Sequence, residues 1–171
     1  MAKFTLDKAH SNIEFVVRHM MVSRVKGSFD NFDVNLTGDI NDLSSLKFEV
    51  KIYPESINTN QADRDNHLRT SDFFDIENHP VVTFVSSSVT ESTVTGELTM
   101  RGVTHEETFD FEYNGTAKNP ADGSLVTGAV VSGKIDREKY GMSFNQALET
   151  GGVLVSNEVK FESNVEFAVE E

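Results

Sequence analysis

The chain contains no cysteine. That excludes disulfides, thiol redox chemistry and any zinc–thiolate centre. No apolar run approaches the ~20 residues of a helical membrane span. The start, Met-Ala-Lys-Phe-Thr-Leu-Asp, has no apolar signal core. These absences predict a cytoplasmic protein, in which the Asn-x-Thr matches at Asn35 and Asn114 carry no glycan. Repeats, low-complexity tracts and linkers are missing too, so 171 residues predict one domain, large enough to bury a core unaided. Basic residues are scarce: 15 Lys and Arg against 28 Asp and Glu give a net charge of -13. Such a balance repels phosphate backbones and anionic membrane surfaces, and argues against a nucleic-acid partner. All six arginines nonetheless fall in or beside motif-like stretches, which allows a local anion site on an acidic protein.

The frames of common catalytic sites are absent as well. His105-Glu106-Glu107 lacks the second histidine of a zinc-protease helix, and no histidine pair has ligand spacing, so no metal site is expected. His10-Ser11 and Ser71-Asp72 supply triad ingredients, but no Gly-x-Ser-x-Gly elbow frames a nucleophile. The expectation is a protein without catalytic residues. A small lipid-modifying hydrolase using His10, His19 or His67 as base is the enzyme alternative.

What the chain does have is alternation. Ile13, Phe15, Val17 and His19 fall on one face of a strand, with Asn12, Glu14, Val16 and Arg18 on the other. Val25, Gly27 and Phe29 are followed by Phe32, Val34 and Leu36, and the parity slip between Phe29 and Phe32 predicts a bulge or sharp bend. Leu46, Phe48, Val50 and Ile52 continue the pattern until Pro54 ends it. Further strands carry Val82 and Phe84, then Val94 to Met100, then Phe109, Phe111 and Tyr113. Leu125 to Ile135 and Val159 to Val169 complete the set, with an irregular stretch over Arg137 to Gln146. About eight antiparallel strands and short turns spell an all-β protein, preferably an extended barrel, since closure removes edges that would otherwise pair between molecules. At about eight strands the interior either fills with side chains or holds one ligand. Phe15, Phe29, Phe48, Phe84, Phe109, Phe111, Phe161 and Phe167 all sit on apolar faces, and periodicity does not decide between pocket and solid core.

One segment, Ile57 to Phe74, reads as helix, of about three turns. Asn60 can cap it, and Asp65 and Arg69 form an i,i+4 pair. Its apolar face is thin, Leu68 and then Phe73-Phe74, which makes it a lid or plug packed against the barrel. Arg64-Asp65-x-His67-Leu68 is the densest polar constellation. Arg64 and His67 can donate to an anionic or polar ligand end while Asp65 orients Arg64. The same residues can instead form a network that pins a weak helix, and the thin apolar face favours that second reading.

Several stretches together resemble a known family. Asp7-x-x-His10-Ser11-x-Ile13-x-Phe15, His19 to Gly27-x-Phe29, Arg64-Asp65-x-His67-Leu68 to Asp72-Phe73-Phe74, Pro80-x-x-Thr83-Phe84, Gly96-x-Leu98 to Arg101-Gly102-Val103-Thr104 and Arg137 to Gly141-Met142 are similar to the YceI-like polyisoprenoid-binding family. The resemblance runs nearly end to end, many members of that family carry a secretion signal, and this chain is expected to lack one. It implies an extended eight-stranded antiparallel barrel, lipocalin-like, with one α-helix packed against it, as a single lipid-binding domain over residues 1–171. It further implies a lumen that binds or carries a long-chain isoprenoid or similar amphiphile. The expected ligand is an isoprenoid quinone, a prenyl diphosphate, a fatty acid or a fatty amide, with no cofactor. Lumen candidates from parity are Phe15, Val17, Phe29, Phe48, Val50, Phe84, Phe109 and Phe111, with His19 as a polar lumen residue and Arg64 and His67 at the headgroup. Selectivity for tail length then comes from where the lumen ends, because each buried methylene contributes ~0.8 kcal/mol. A homodimer through an exposed strand is possible in such a fold. A filled-barrel, stress-related interaction protein is the third reading.

Overall fold

The computed structural model describes residues 3–20, 22–145 and 155–170. Its eleven strands are β1 (Lys3–Leu6), β2 (Asn12–His19), β3 (Ser23–Phe29), β4 (Phe32–Asp39), β5 (Asp42–Ile52), β6 (Ile57–Asn58), β7 (Val82–Val89), β8 (Thr93–Met100), β9 (Val103–Lys118), β10 (Leu125–Asp136) and β11 (Glu158–Glu170). They form one curled antiparallel sheet in the order β4-β5-β7-β8-β9-β10-β11-β2-β3-β6, with β1 also paired to β11. The all-β, lipocalin-like architecture expected from sequence is present, but eight strands is too low a count. Strands of four and two residues, β1 and β6, are too short to display a period of two. Gln146, where the expected irregular stretch ends, lies outside the described residues; its start is a short 3-10 turn, Arg137–Tyr140.

Long β11 explains how the sheet curls. Lys160 to Asn164 pair with β2, whereas Phe167 to Glu170 pair with β1. β1 then lies against β4, with Lys8 and Asp33 in ion contact at 3.3 Å. On the other side the Asp30 amide donates to the Ser56 carbonyl and the Tyr53 amide to the Asn31 carbonyl. Among the described residues no ladder joins β4 to β6, so loops and side chains complete the barrel instead of continuous hydrogen bonding. Of the bulge or sharp bend expected between Phe29 and Phe32, the structure has the bend: Asp30-Asn31 carries the chain from β3 to the opposite edge of the sheet. Bulges occur instead at Thr37/Asp39, Ser86/Ser88 and Thr127/Ala129.

The helix is shorter than the sequence suggests. α1 covers Ala62–Leu68, and Gln61, not Asn60, caps it by accepting from the Arg64 amide. Asn60 adopts a left-handed φ of 63°. Asp65 does not pair with Arg69; it is buried and accepts the amide and hydroxyl of Thr59. Arg69 reaches the carbonyls of Glu55 and Ile57 and the side chain of Asn66. A seven-residue helix with little apolar surface is marginal alone, and these bonds tie it to β6. No helix among the described residues is long and apolar enough to cross a membrane.

Several aromatic rings lie where a glycine leaves room. A Cβ on Gly27 would meet Phe15 Cζ at 2.3 Å, and one on Gly133 would meet Phe109 Cδ1 at 2.7 Å. Phe109 is buried and packs edge-to-face with Phe161 at 4.7 Å and tilted against Phe84 at 5.4 Å, so it has little room to yield. Gly133→Val is therefore expected to destabilise by roughly 1–3 kcal/mol through overpacking, read as a lower urea midpoint.

On the outside, His10 Nδ1 donates to Asp7 Oδ2 at 2.8 Å and lies 3.5 Å from Glu166 Oε2, holding the 3-10 turn Lys8–His10 to β11. Chiefly through that hydrogen bond, His10 is raised above its ordinary 6.5 and Asp7 lowered below 3.8. The His10 contribution is present below 6.5 and lost as pH rises through the raised value; the Asp7 contribution is present above 3.8 and lost on acidification. A small fall in melting temperature from about pH 6 to about pH 8 is expected, and its persistence unchanged in His10→Gln would refute this assignment.

Candidate functional site: an apolar cavity in one half of the barrel

Burial along the inner face is uneven on β2, β5, β10 and β11. On β11, Val159 and Phe161 are half-buried while Val165, Phe167 and Val169 are fully buried. On β5, Leu46 and Phe48 are buried while Val50 and Ile52 are not. The half-buried side chains surround a cavity of about 420 Å³, within the roughly 300–1,000 Å³ range of small-molecule sites. Ile13, Phe48, Phe84, Val94, Phe109 and Val165 line it and are themselves buried; Phe48 packs on Phe111, and Phe109 and Val165 lie two residues from core Phe111 and Phe167, which makes this end its floor. Below them Phe4, Leu36, Leu46, Phe111, Ala129 and Phe167 fill the rest of the barrel as solid core. The interior is thus neither wholly open nor wholly filled.

Away from the floor, α1 and the segment after it cover the cavity. Leu68, Phe73 and Phe74 line it, with Phe74 against Phe29 at 5.6 Å and Phe73 against Phe144 at 5.4 Å. Polar groups concentrate on this side. Arg64 donates from Nε to the Thr59 hydroxyl and from Nη2 to the Thr59 carbonyl, both at 2.8 Å. Asp65 therefore positions Arg64 through Thr59, not directly, and the network both pins the helix and places a guanidinium on the cavity wall. His67 Nε2 meets Asp72 Oδ2 at 2.8 Å, and its ring stands edge-on to Phe73 and Phe144.

Arg137 is the least expected member. It is 3% exposed and lines the cavity. It donates to the carbonyls of Ser156 at 3.0 Å, Met142 at 2.6 Å and Val155 at 3.4 Å, with its guanidinium 5.9 Å from the Phe73 ring. Burial holds it below its ordinary pKa, against the opposing pull of Glu138 and Asp136. Among the described residues neither Arg64 nor Arg137 has a carboxylate in ion-pair contact. Two guanidiniums beside an apolar cavity can receive an oxygen-bearing or anionic group there.

The sequence profile of the YceI-like domain matches residues 4–167. The chain belongs to the YceI-like family. It is similar to a UPF0312 protein of Staphylococcus aureus strain USA300, with 58% identity over 171 residues and 100% of both chains covered. The crystal structure of the Campylobacter jejuni YCEI protein matches with a TM-score of 0.76 at 32% identity, covering 100% of both chains. A polyisoprenoid binding domain from Saccharophagus degradans matches with a TM-score of 0.70 at 13% identity, covering 99% of this chain and 100% of that one, a likeness of fold.

Within this YceI-like barrel, Phe15, Val17, His19, Phe29, Phe48, Val50, Arg64, His67, Phe84 and Phe109 all border the cavity. Phe111 does not. It is 4% exposed and packs on Phe48 at 5.9 Å, below the floor, because parity assigns a face but not a depth. His19 is half-buried and its strand end bridges to Val155. His10 lies away from the cavity with Asp7 and Glu166, whose ligand atoms cluster within 4.8 Å; hydrogen bonding accounts for that cluster. Sequence reasoning missed Arg137, Thr59, Phe73 and Phe144 as cavity residues. In the sequence Asp136-Arg137-Glu138-Lys139 looks like a solvated turn, and only the resemblance marked it.

Proposed function

We propose that this chain binds and carries a long-chain isoprenoid or similar amphiphilic lipid, its tail in the cavity and its polar end near Arg64, His67 and Arg137. The observation that carries this reading is the 420 Å³ cavity with its wall of Val, Ile and Phe and its guanidiniums on one side only. Such polarity suits an amphiphile and leaves an isoprenoid quinone, a prenyl diphosphate, a fatty acid or a fatty amide as candidates. Arg64 and Arg137, with no carboxylate in ion-pair contact among the described residues, favour the anionic and oxygen-rich members of that set. In this reading the protein is a binder without a catalytic centre or cofactor. The polyisoprenoid-binding name of a structural neighbour supports the ligand class.

Native mass spectrometry of freshly purified protein, followed by organic extraction, tests the proposal. A stoichiometric long-chain species, or uptake of one when supplied, is expected; a bare chain that takes up none of the four candidates would sink it. Arg64→Ala is expected to weaken an anionic ligand roughly 10- to 100-fold, the worth of a charge-assisted hydrogen bond, and a neutral one much less. Equal losses for both would remove Arg64 from the headgroup site.

A further inference from the structure

Among the described residues, large hydrophobic side chains exposed to solvent are few: Met20 at 43%, Val22 at 85% and Val85 at 39%. Two of these three sit at the tip of the β2–β3 hairpin, where Met20 takes a left-handed φ of 52°. Just behind the tip, Arg18 and Arg24 are direct cross-strand partners, and Lys26 follows on the same outward face. All three are exposed, and none has an ion-pair partner among the described residues. Like charges directly opposed on neighbouring strands destabilise a sheet, and a solvated valine contributes nothing to folding. Neither feature serves the barrel. Both suit contact with a surface that is anionic and, beneath its charge, apolar.

Position adds to this. Val17, His19 and Val25 of the same hairpin line the cavity, and exposed Arg18 also borders it, so the tip lies beside the cavity rim. The two exposed apolar side chains among the described residues of the tip offer far less than the roughly 1,000 Å² of a specific protein interface, whereas a bilayer accepts a small apolar tip. The net charge of -13 repels the remainder of the molecule from an anionic surface and so turns the basic tip toward it.

We infer that the β2–β3 hairpin docks on anionic lipid bilayers, Met20 and Val22 entering the headgroup–acyl boundary while Arg18, Arg24 and Lys26 meet lipid phosphates. Passage of lipid between bilayer and cavity at this contact rests on the carrier reading above; the contact itself does not.

Cosedimentation of the full chain with vesicles of phosphatidylcholine alone, or mixed with phosphatidylglycerol, tests it. Binding to the mixed vesicles is expected, weakening as salt rises. Replacing both arginines, Arg18→Gln with Arg24→Gln, should weaken it about 30-fold, the equivalent of ~1 kcal/mol per basic residue. Val22→Asp should reduce it to background, while the charge-matched control Lys47→Gln with Lys51→Gln on β5 leaves it unchanged. Failure to bind mixed vesicles at low salt, equal loss in the control, or full binding by Val22→Asp overturns the inference. So does a dimer that Val22→Asp abolishes without any vesicle binding, which would assign the tip to a second copy. Uptake of a fluorescent prenyl probe in vesicle-free solution separates the two readings. Val22→Asp should take up the probe as wild type does, and a wild type that docks yet takes up nothing defeats the carrier reading while upholding the docking.

Discussion

Val131→Phe is expected to lower affinity for a long-chain ligand by about 100-fold or more and to leave the melting temperature unchanged or higher. Val131 is half-buried, pairs with Ser163 and Phe111 on neighbouring strands and lines the cavity. The replacement adds about four carbons, and each methylene of tail that it displaces forfeits ~0.8 kcal/mol, together about 3 kcal/mol. Filling empty apolar space does not strain the barrel, because the added ring gains contacts that the valine lacks. The loss should be steepest for the longest tails and small for a homologue short enough to stop above the new ring. Isothermal titration with a series of tail lengths, beside a thermal melt, reads both quantities. Undiminished affinity for the longest member would show that the ligand does not occupy this cavity, and a matching collapse of the melt would show that Val131 belongs to packed core.

Phe48→Asp should abolish the fold. Phe48 is 6% exposed, packs edge-to-face with Phe111 at 5.9 Å and sits where the cavity floor meets solid core, with its own amide donating to the buried Ser86 hydroxyl. A carboxylate there has no cation beside it among the described residues, and an uncompensated buried charge costs several kcal/mol beyond the lost packing. Against a total stability of about 5–15 kcal/mol, that leaves little or nothing. Val50→Asp offers the contrast. It lies two residues on, on the same face of β5, but is half-buried and lines the cavity. Its carboxylate can hydrate, so the chain should stay folded while losing affinity for an apolar tail. Far-ultraviolet circular dichroism with urea titration separates the two variants, and similar stability in both would place the floor elsewhere.

The period-two rows of Phe, Val, Leu and Ile were enough by themselves to specify an all-β chain and which side chains turn inward, because each strand can bury only one face. Composition likewise excluded thiol chemistry and a helical membrane span. The ordered motifs from Asp7 to Met142 pointed to the right family. Length of pattern limited the rest: β1 and β6 are too short to alternate visibly, and α1 was overextended because Ile57 and Asn58 join the sheet through β3. Depth within the barrel could not be read from any single strand. Phe109 and Phe111 share one face of β9, yet the first lines the cavity and the second only packs in the core, since the floor is set by side chains from six different strands. Arg137 shows the same limit. Its sequence neighbours are all charged, and only the approach of Met142, Val155 and Ser156 turns a surface-like arginine into a buried one. Local sequence determined the faces; long-range packing decided which part of the shared interior remained empty and which charges border it.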